Sequence, residues 1–253
     1  MIGQRKRSSD MSILEVKNLT KLYKNGRGVR NITFSMDRGE VVGLLGPNGS
    51  GKTTIMKVIL GLIHGGEGET SLFGCDVERD PQSALAKVGG LIERPALYEN
   101  MTAYDNLKMA ARFYPEVTEE RIQHVMDIVR ISKYQKEKCG RYSLGMKQRL
   151  GLALALLSEP ELVILDEPTN GLDIEGTVEI REIILQYAKK KGTAFLIASH
   201  LAPEIEKTCD KVAIVHEGDL LTFDTMEEAL RLNPSLEDYF LSKVKERRGT
   251  VVI

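Results

Sequence analysis

"GPNGSGKTT", residues Gly46 to Thr54, follows the apolar run "VVGLL" (Val41–Leu45) and leads into "IMKVILGLI" (Ile55–Ile63). A strand that ends in a glycine-rich turn and opens into a helix is the local geometry of a phosphate cradle. Gly46, Gly49 and Gly51 let backbone N–H groups converge on an anion, and the helix N-terminus adds partial positive charge. Lys52 places a point charge on the β- and γ-phosphates of a nucleoside triphosphate, and the Thr53 hydroxyl is a hard oxygen ligand for Mg²⁺. Asn48 and Thr54 complete the expected contacts. The bland alternative is a glycine-rich turn of a generic doubly wound sheet, which does not call for Lys-Thr at this offset. The stretch therefore decides the fold class: α/β, a P-loop core on a mostly parallel sheet.

The bulk composition narrows the function classes. The chain has 253 residues, 42% apolar and 28% charged, with a net charge of −1. That balance supplies no field for a nucleic-acid surface, so no nucleic-acid partner is expected. The longest apolar run, "LGLALALL" from Leu150, is far short of the roughly 20 residues that a bilayer span needs. "MIGQRKRSSD" has charges but no apolar h-region, and residues 1–11 read as a disordered leader, with Met11 as an alternative start. The cysteines Cys75, Cys139 and Cys209 form no CxxC pair, which suggests neither zinc nor a disulfide framework and points to a reducing cytosol.

Periodicity organises the rest. "ILEVKNLTKLY" and "RNITFSMDRG" alternate like half-buried strands and form an N-terminal antiparallel β portion. "EVVGLLG" reads as a strand covered on both faces, Thr53–Ile63 as a deeply packed helix, "HGGEGE" as a turn and "KVGGLIE" as a short strand. From Arg94 the strand pattern stops. Thr102 caps one helix. Thr118 caps a second, with Ile122, Val125, Met126 and Val129 on one face, and "GMKQRLGLALALLS" is a third. Strands return at "ELVILD", "TAFLIAS" and "KVAIVHEG", around the helical "IEGTVEIREIILQYAKK". This gives a P-loop core over 12–93 and 158–225, a helical insertion over 94–157 and a helical tail over 226–253.

"LVILDEPTNGLD" (Leu162–Asp173) ends an apolar strand in two acids. In open α/β sheets ligands sit at the carboxyl ends of strands, so Asp166 is placed for the Mg²⁺ shell and Glu167 for polarising an attacking water. Alone, such a pair more often caps a helix or faces solvent; beside the cradle, the chemical reading wins. "YSLGMKQR" (Tyr142–Arg149) puts Ser143 and Gly145 at a helix start, which makes either a second anion site or a plain N-cap. His200, after "FLIAS", ends another strand at the ligand edge.

Together these residues resemble the nucleotide-binding subunit of ABC transporters over essentially residues 12–225. Gly46–Thr53 resembles its Walker A loop, Asp166 and Glu167 its Walker B acids, "GLD" to Asp173 its D-loop, His200 its switch histidine and Tyr142–Met146 its signature motif. The resemblance implies that Tyr23 stacks on the adenine of ATP. It also implies that ATP, with Mg²⁺, is held between Lys52 of one subunit and Ser143 of another in a head-to-tail dimer. Two features depart from the family pattern. The signature reads Tyr-Ser-Leu-Gly-Met where LSGGQ is usual, and Glu93 stands where a glutamine reaches Mg²⁺ and water. Glu93, with "GGLIERPALYENMTAYDNL" and "YSLGMKQRLGLALALL" together, resembles the ATPase subunits of bacitracin- and lantibiotic-resistance exporters. That implies a catalytic and metal-shell role for Glu93. It also implies an integral membrane permease docking at Arg94–Tyr104, on the cytoplasmic face of the membrane. Other cargoes, a soluble ABC ATPase and a switch without turnover are the alternatives. A single cassette without a heptad array counts against the second, and Asp166, Glu167 and His200 count against the third.

Overall fold

The computed structural model describes residues 12–249, so the leader read at 1–11 and the last four residues of the tail lie outside it. Leu14–Leu22 (β1) and Gly28–Met36 (β2) pair antiparallel, with Leu14, Val16, Leu19, Ile32, Phe34 and Met36 turned into the core. Val41–Leu45 (β3) is buried at every position and feeds Lys52–Ile59 (α1) through the glycine-rich turn. Glu67–Leu72 (β4) and Cys75–Asp76 (β5) extend the antiparallel wing, and Pro81–Leu85 (α2) leads to Val88–Leu91 (β6). The helices Ala103–Ala111 (α3), Glu119–Ile128 (α4) and Leu144–Leu156 (α5) follow. The remainder is Leu162–Asp166 (β7), Ile174–Lys191 (α6), Ala194–Ser199 (β8), Ala202–Thr208 (α7), Lys211–His216 (β9), Asp219–Thr225 (β10), Met226–Leu230 (α8) and Leu236–Arg248 (α9).

One sheet carries all of these strands in the order β5-β4-β1-β2-β10-β9-β3-β8-β7-β6. The run β9-β3-β8-β7-β6 is parallel throughout, and the antiparallel pairs lie toward the other edge. Parallel strands need cover on both faces. One apolar cluster joins α1 to β1–β4; the other joins α3–α7 to the opposite face of the parallel strands.

Local chemistry sets the helix ends. Thr102 and Asp105 form a reciprocal capping box, the Thr118 hydroxyl accepts from the Arg121 N–H, and the Ser143 hydroxyl accepts from the Met146 N–H. Two boundaries differ from the periodicity. α1 stops at Ile59 rather than Ile63 because Gly61 takes the left-handed conformation that ends helices. "HGGEGE" is not all turn: β4 begins at Glu67, where pairing with Thr20 of β1 overrides a polar, glycine-rich sequence. The tail is packed. Leu236, Tyr239 and Val244 of α9 are buried, the Tyr239 hydroxyl donates to Asp224 at 2.6 Å, and Arg247 pairs with Asp219. No helix among the described residues is long and apolar enough to cross a membrane.

The inserted helices meet the core at two kinds of contact. A side chain at Gly89 would come within 1.9 Å of the Ala155 carbonyl, so α5 presses directly on β6. Arg121 of α4 donates to the Leu156 and Leu157 carbonyls at the end of α5 and to the Tyr187 hydroxyl of α6 at 2.9 Å. A cation at a helix C-terminus satisfies carbonyls left over by the helix. Arg121→Met leaves those acceptors unpaired and is expected to destabilise the protein by about 2–3 kcal/mol, read as a lower urea midpoint. An unchanged midpoint would contradict this role.

Candidate nucleotide-binding site

Between β3 and α1 the backbone is too crowded for side chains at two glycines. A Cβ at Gly46 would lie 2.0 Å from the Val215 carbonyl oxygen, and one at Gly51 would lie 2.3 Å from Val29 Cγ1. Gly51, at φ 114°, is also the N-cap of α1 and leaves that helix start without a side-chain cap. The start of α1 opens on a cavity of about 550 Å³, which Asn48, Gly49, Gly51, Lys52, Thr53 and Thr54 line from one side. Gly46 lies beneath the loop. Its carbonyl accepts from Lys52 Nζ at 2.7 Å, and Pro47 O lies 3.3 Å from the same nitrogen. Lys52 is only 6% exposed, and burial pushes its pKa down against the pull of Glu167 and Asp166. A buried ammonium held by loop carbonyls beside uncapped helix N–H groups suits a polyphosphate.

The acids come from the end of β7. Asp166 is 4% exposed; its Oδ2 accepts from the Thr53 hydroxyl at 2.7 Å, while its Oδ1 is buried with no hydrogen-bond partner. Burial pushes this carboxyl above its ordinary value, and the charges of Glu167 and Glu93 add to that, against the Thr53 bond and Lys52. A buried carboxylate oxygen without a partner, next to a hydroxyl, is a fitting donor set for a hard divalent cation. Glu167 sits at φ 50°, a left-handed conformation uncommon outside glycine. Its Oε2 lies 2.8 Å from His200 Nδ1, and its buried Oε1, without a hydrogen bond, lies 3.6 Å from Lys52 Nζ.

Tyr23 lines the same cavity and is 43% exposed, with Lys21 Nζ 5.9 Å from its ring centroid. Glu93 also lines it, but its carboxylate is hydrogen-bonded to Lys57 Nζ at 2.7 Å rather than to the Thr53–Asp166 pair. His200 is not on the cavity wall and reaches it through Glu167. Ser143, Gly145 and Asp173 line a different cavity of about 850 Å³, with Arg130, Arg149 and Glu179. There Ser143 caps α5 and Asp173 caps α6, its Oδ1 accepting from the Gly176 N–H at 2.8 Å. The caps and the anion-site reading thus share the same residues. A single chain does not bring these three to the phosphate loop. The sequence reading missed Asn25, Arg27, Arg94, Gln148 and Asn170, which also line the first cavity. Asn170, Arg94 and Gln148, lying beside the quoted acids, beside Glu93 and within "YSLGMKQR", had a local signal.

Asp166 generates a pH signature. A carboxyl whose folded pKa is raised stabilises the fold in its protonated form. That contribution is complete below the ordinary aspartate range and is lost as pH rises through the raised value. Asp166→Asn, neutral throughout, is expected to flatten this slope and to keep or raise the neutral-pH melting temperature, read by thermal unfolding across the acidic-to-neutral range. A lower melting temperature with the slope intact would contradict it.

Known proteins resemble this chain in sequence and fold. Residues 29–170 match the ABC transporter family. The bacitracin transport ATP-binding protein BcrA of Enterococcus faecalis is 38% identical over 233 residues, 92% of this chain and 76% of that protein. The lantibiotic transport ATP-binding protein SrtF of Streptococcus pyogenes is 37% identical over 232 residues, 92% of this chain and 97% of that one. A solved structure described as the ATP binding subunit of an ABC transporter superposes with a TM-score of 0.84 at 31% identity, covering 92% of this chain and 100% of its own.

Proposed function

The chain belongs to the ABC transporter family as an ATP-binding ATPase subunit, and from that premise we propose that it drives a bacterial exporter that gives resistance or immunity to peptide antibiotics of the bacitracin or lantibiotic type. The observation that carries this reading is its similarity, over 92% of its length, to both a bacitracin and a lantibiotic transport ATP-binding protein. Cargo contacts belong to an integral membrane permease. Its docking surface on this chain is Arg94–Tyr104, where Tyr98 is 61% exposed. The subunit works as a peripheral protein on the cytoplasmic face of the membrane.

When bound, ATP supplies the phosphoanhydride and Mg²⁺ neutralises the charge that develops as it is cleaved. The residues have these roles in the proposal. Gly46, Asn48, Gly49, Gly51, Lys52, Thr53 and Thr54 hold the phosphates, and Tyr23 stacks on the adenine. Thr53, through its hydroxyl, and Asp166, through its unpaired Oδ1, would hold the metal, with Glu93 beside them. Glu167 orients the attacking water and takes its proton through Oε1, while His200 fixes Oε2 and so the direction of the free oxygen. His200 serves the γ-phosphate from that position. Ser143, Gly145 and Asp173, in their own cavity, complete the site of a second copy in a head-to-tail dimer.

Glu167→Gln keeps the shape and removes the base. It is expected to bind ATP normally and to lower turnover by about 10²–10⁴-fold. In the host, loss of the gene should sensitise cells to bacitracin or to lantibiotics, with rescue by wild type and not by Glu167→Gln. Unchanged sensitivity to the peptide panel, or a change only with unrelated drugs, would overturn the cargo assignment.

A further inference from the structure

Carboxylates from two strand ends crowd the phosphate cavity: Asp166, Glu167 and Glu93. A polyanion entering there meets their summed field. The first two have companions inside the site. Asp166 holds the Thr53 hydroxyl, and Glu167 lies between Lys52 and His200. Glu93 is different. It follows β6 at φ 60° and lines the cavity. Its hydrogen bond runs outward, to Lys57 Nζ at 2.7 Å. Lys57 is not on the cavity wall. It stands four residues beyond Thr53 on α1, so one helix face carries both the hydroxyl that fixes Asp166 and the ammonium that fixes Glu93.

We propose that Lys57 is a positioning residue for nucleotide binding, holding the Glu93 carboxylate at the cavity rim and cancelling its charge so that ATP is met by two acids rather than three. This rests on reading the cavity as the ATP site. Glu93 is 62% exposed and Lys57 30%. An exposed pair adds little to folding stability. A purely structural role therefore predicts almost nothing from its loss. Next to a bound polyphosphate the same pair faces a concentrated negative charge, and an uncompensated Glu93 repels it. The left-handed backbone at Glu93 narrows where its side chain can go, so a single cation suffices to set it.

A double-mutant cycle tests this in the full chain with Lys57→Met, Lys57→Arg, Glu93→Gln and the Lys57→Met/Glu93→Gln pair. Two quantities are read: ATP affinity without divalent metal, by calorimetry, and the melting temperature of the ligand-free protein. Lys57→Met is expected to weaken metal-free ATP binding by roughly 3–10-fold with little change in melting temperature. Lys57→Arg should bind close to wild type. In the Glu93→Gln background, where no charge needs cancelling, Lys57→Met should change affinity by less than about 2-fold. An equal loss in both backgrounds would overturn the proposal, because Lys57 would then act on the nucleotide itself. No loss in either would overturn it as well, leaving a solvated surface pair. Those results presuppose a wild type that binds ATP; a wild type that does not bind ATP sinks the reading of the cavity first.

Discussion

The hydrogen bond from the Thr53 hydroxyl to Asp166 Oδ2 at 2.7 Å ties together two segments 113 residues apart. It forms only if the start of α1 and the end of β7 meet at one edge of the sheet. β8, lying between β3 and β7, makes that possible. Leu45 is in register with Ser199, and Asp166 with Ala198, so all three strands end at the same level. The loops that follow then close on one another. The Gly46 N–H donates to the Ser199 carbonyl at 3.3 Å and the Glu167 N–H to the Ala198 carbonyl at 3.0 Å. This alignment is also what puts His200 within reach of Glu167.

The site concentrates charge on one cavity, and the protein arranges that charge in opposed pairs. Lys52 faces Glu167, Lys57 faces Glu93, and Asp166 keeps a hydroxyl on one oxygen and nothing on the other. Buried oxygens without partners are costly in an apolar surround. Here they lie on a cavity beside an uncapped helix start, in the place where the proposed nucleotide and metal would satisfy them. The turn joining β9 to β10 supports the loop from behind. The Gly218 N–H donates to the Ser50 carbonyl at 3.0 Å, and the next residue, Asp219, is paired with Arg247 of α9. The tail is thus linked through one turn to the phosphate loop.

Much of this was legible in the sequence because it is local. "VVGLL", "LVILD" and "AFLIAS" are continuous apolar runs, and each is a strand buried at every position. Thr102, Thr118 and Ser143 cap their helices by bonds spanning three residues. What escaped was non-local. β10 is half-buried at all of its positions, so it shows no alternation, and its pairing with β9 creates it. Nothing near Lys57 or Glu93 announces a bond between residues 36 positions apart. The signature and D-loop residues were legible as a type, yet one chain cannot show what they complete.

The central claim is that an active site needs the phosphate loop of one chain and the Ser143 cavity of another. Mixing two inactive variants tests this directly. Lys52→Met and Ser143→Arg should each abolish ATP hydrolysis alone. Mixed in equal amounts, they should recover about a quarter of wild-type activity per chain, because half of the dimers then hold one intact site out of two. Hydrolysis by Ser143→Arg alone at the wild-type rate, or no recovery on mixing, would contradict the account.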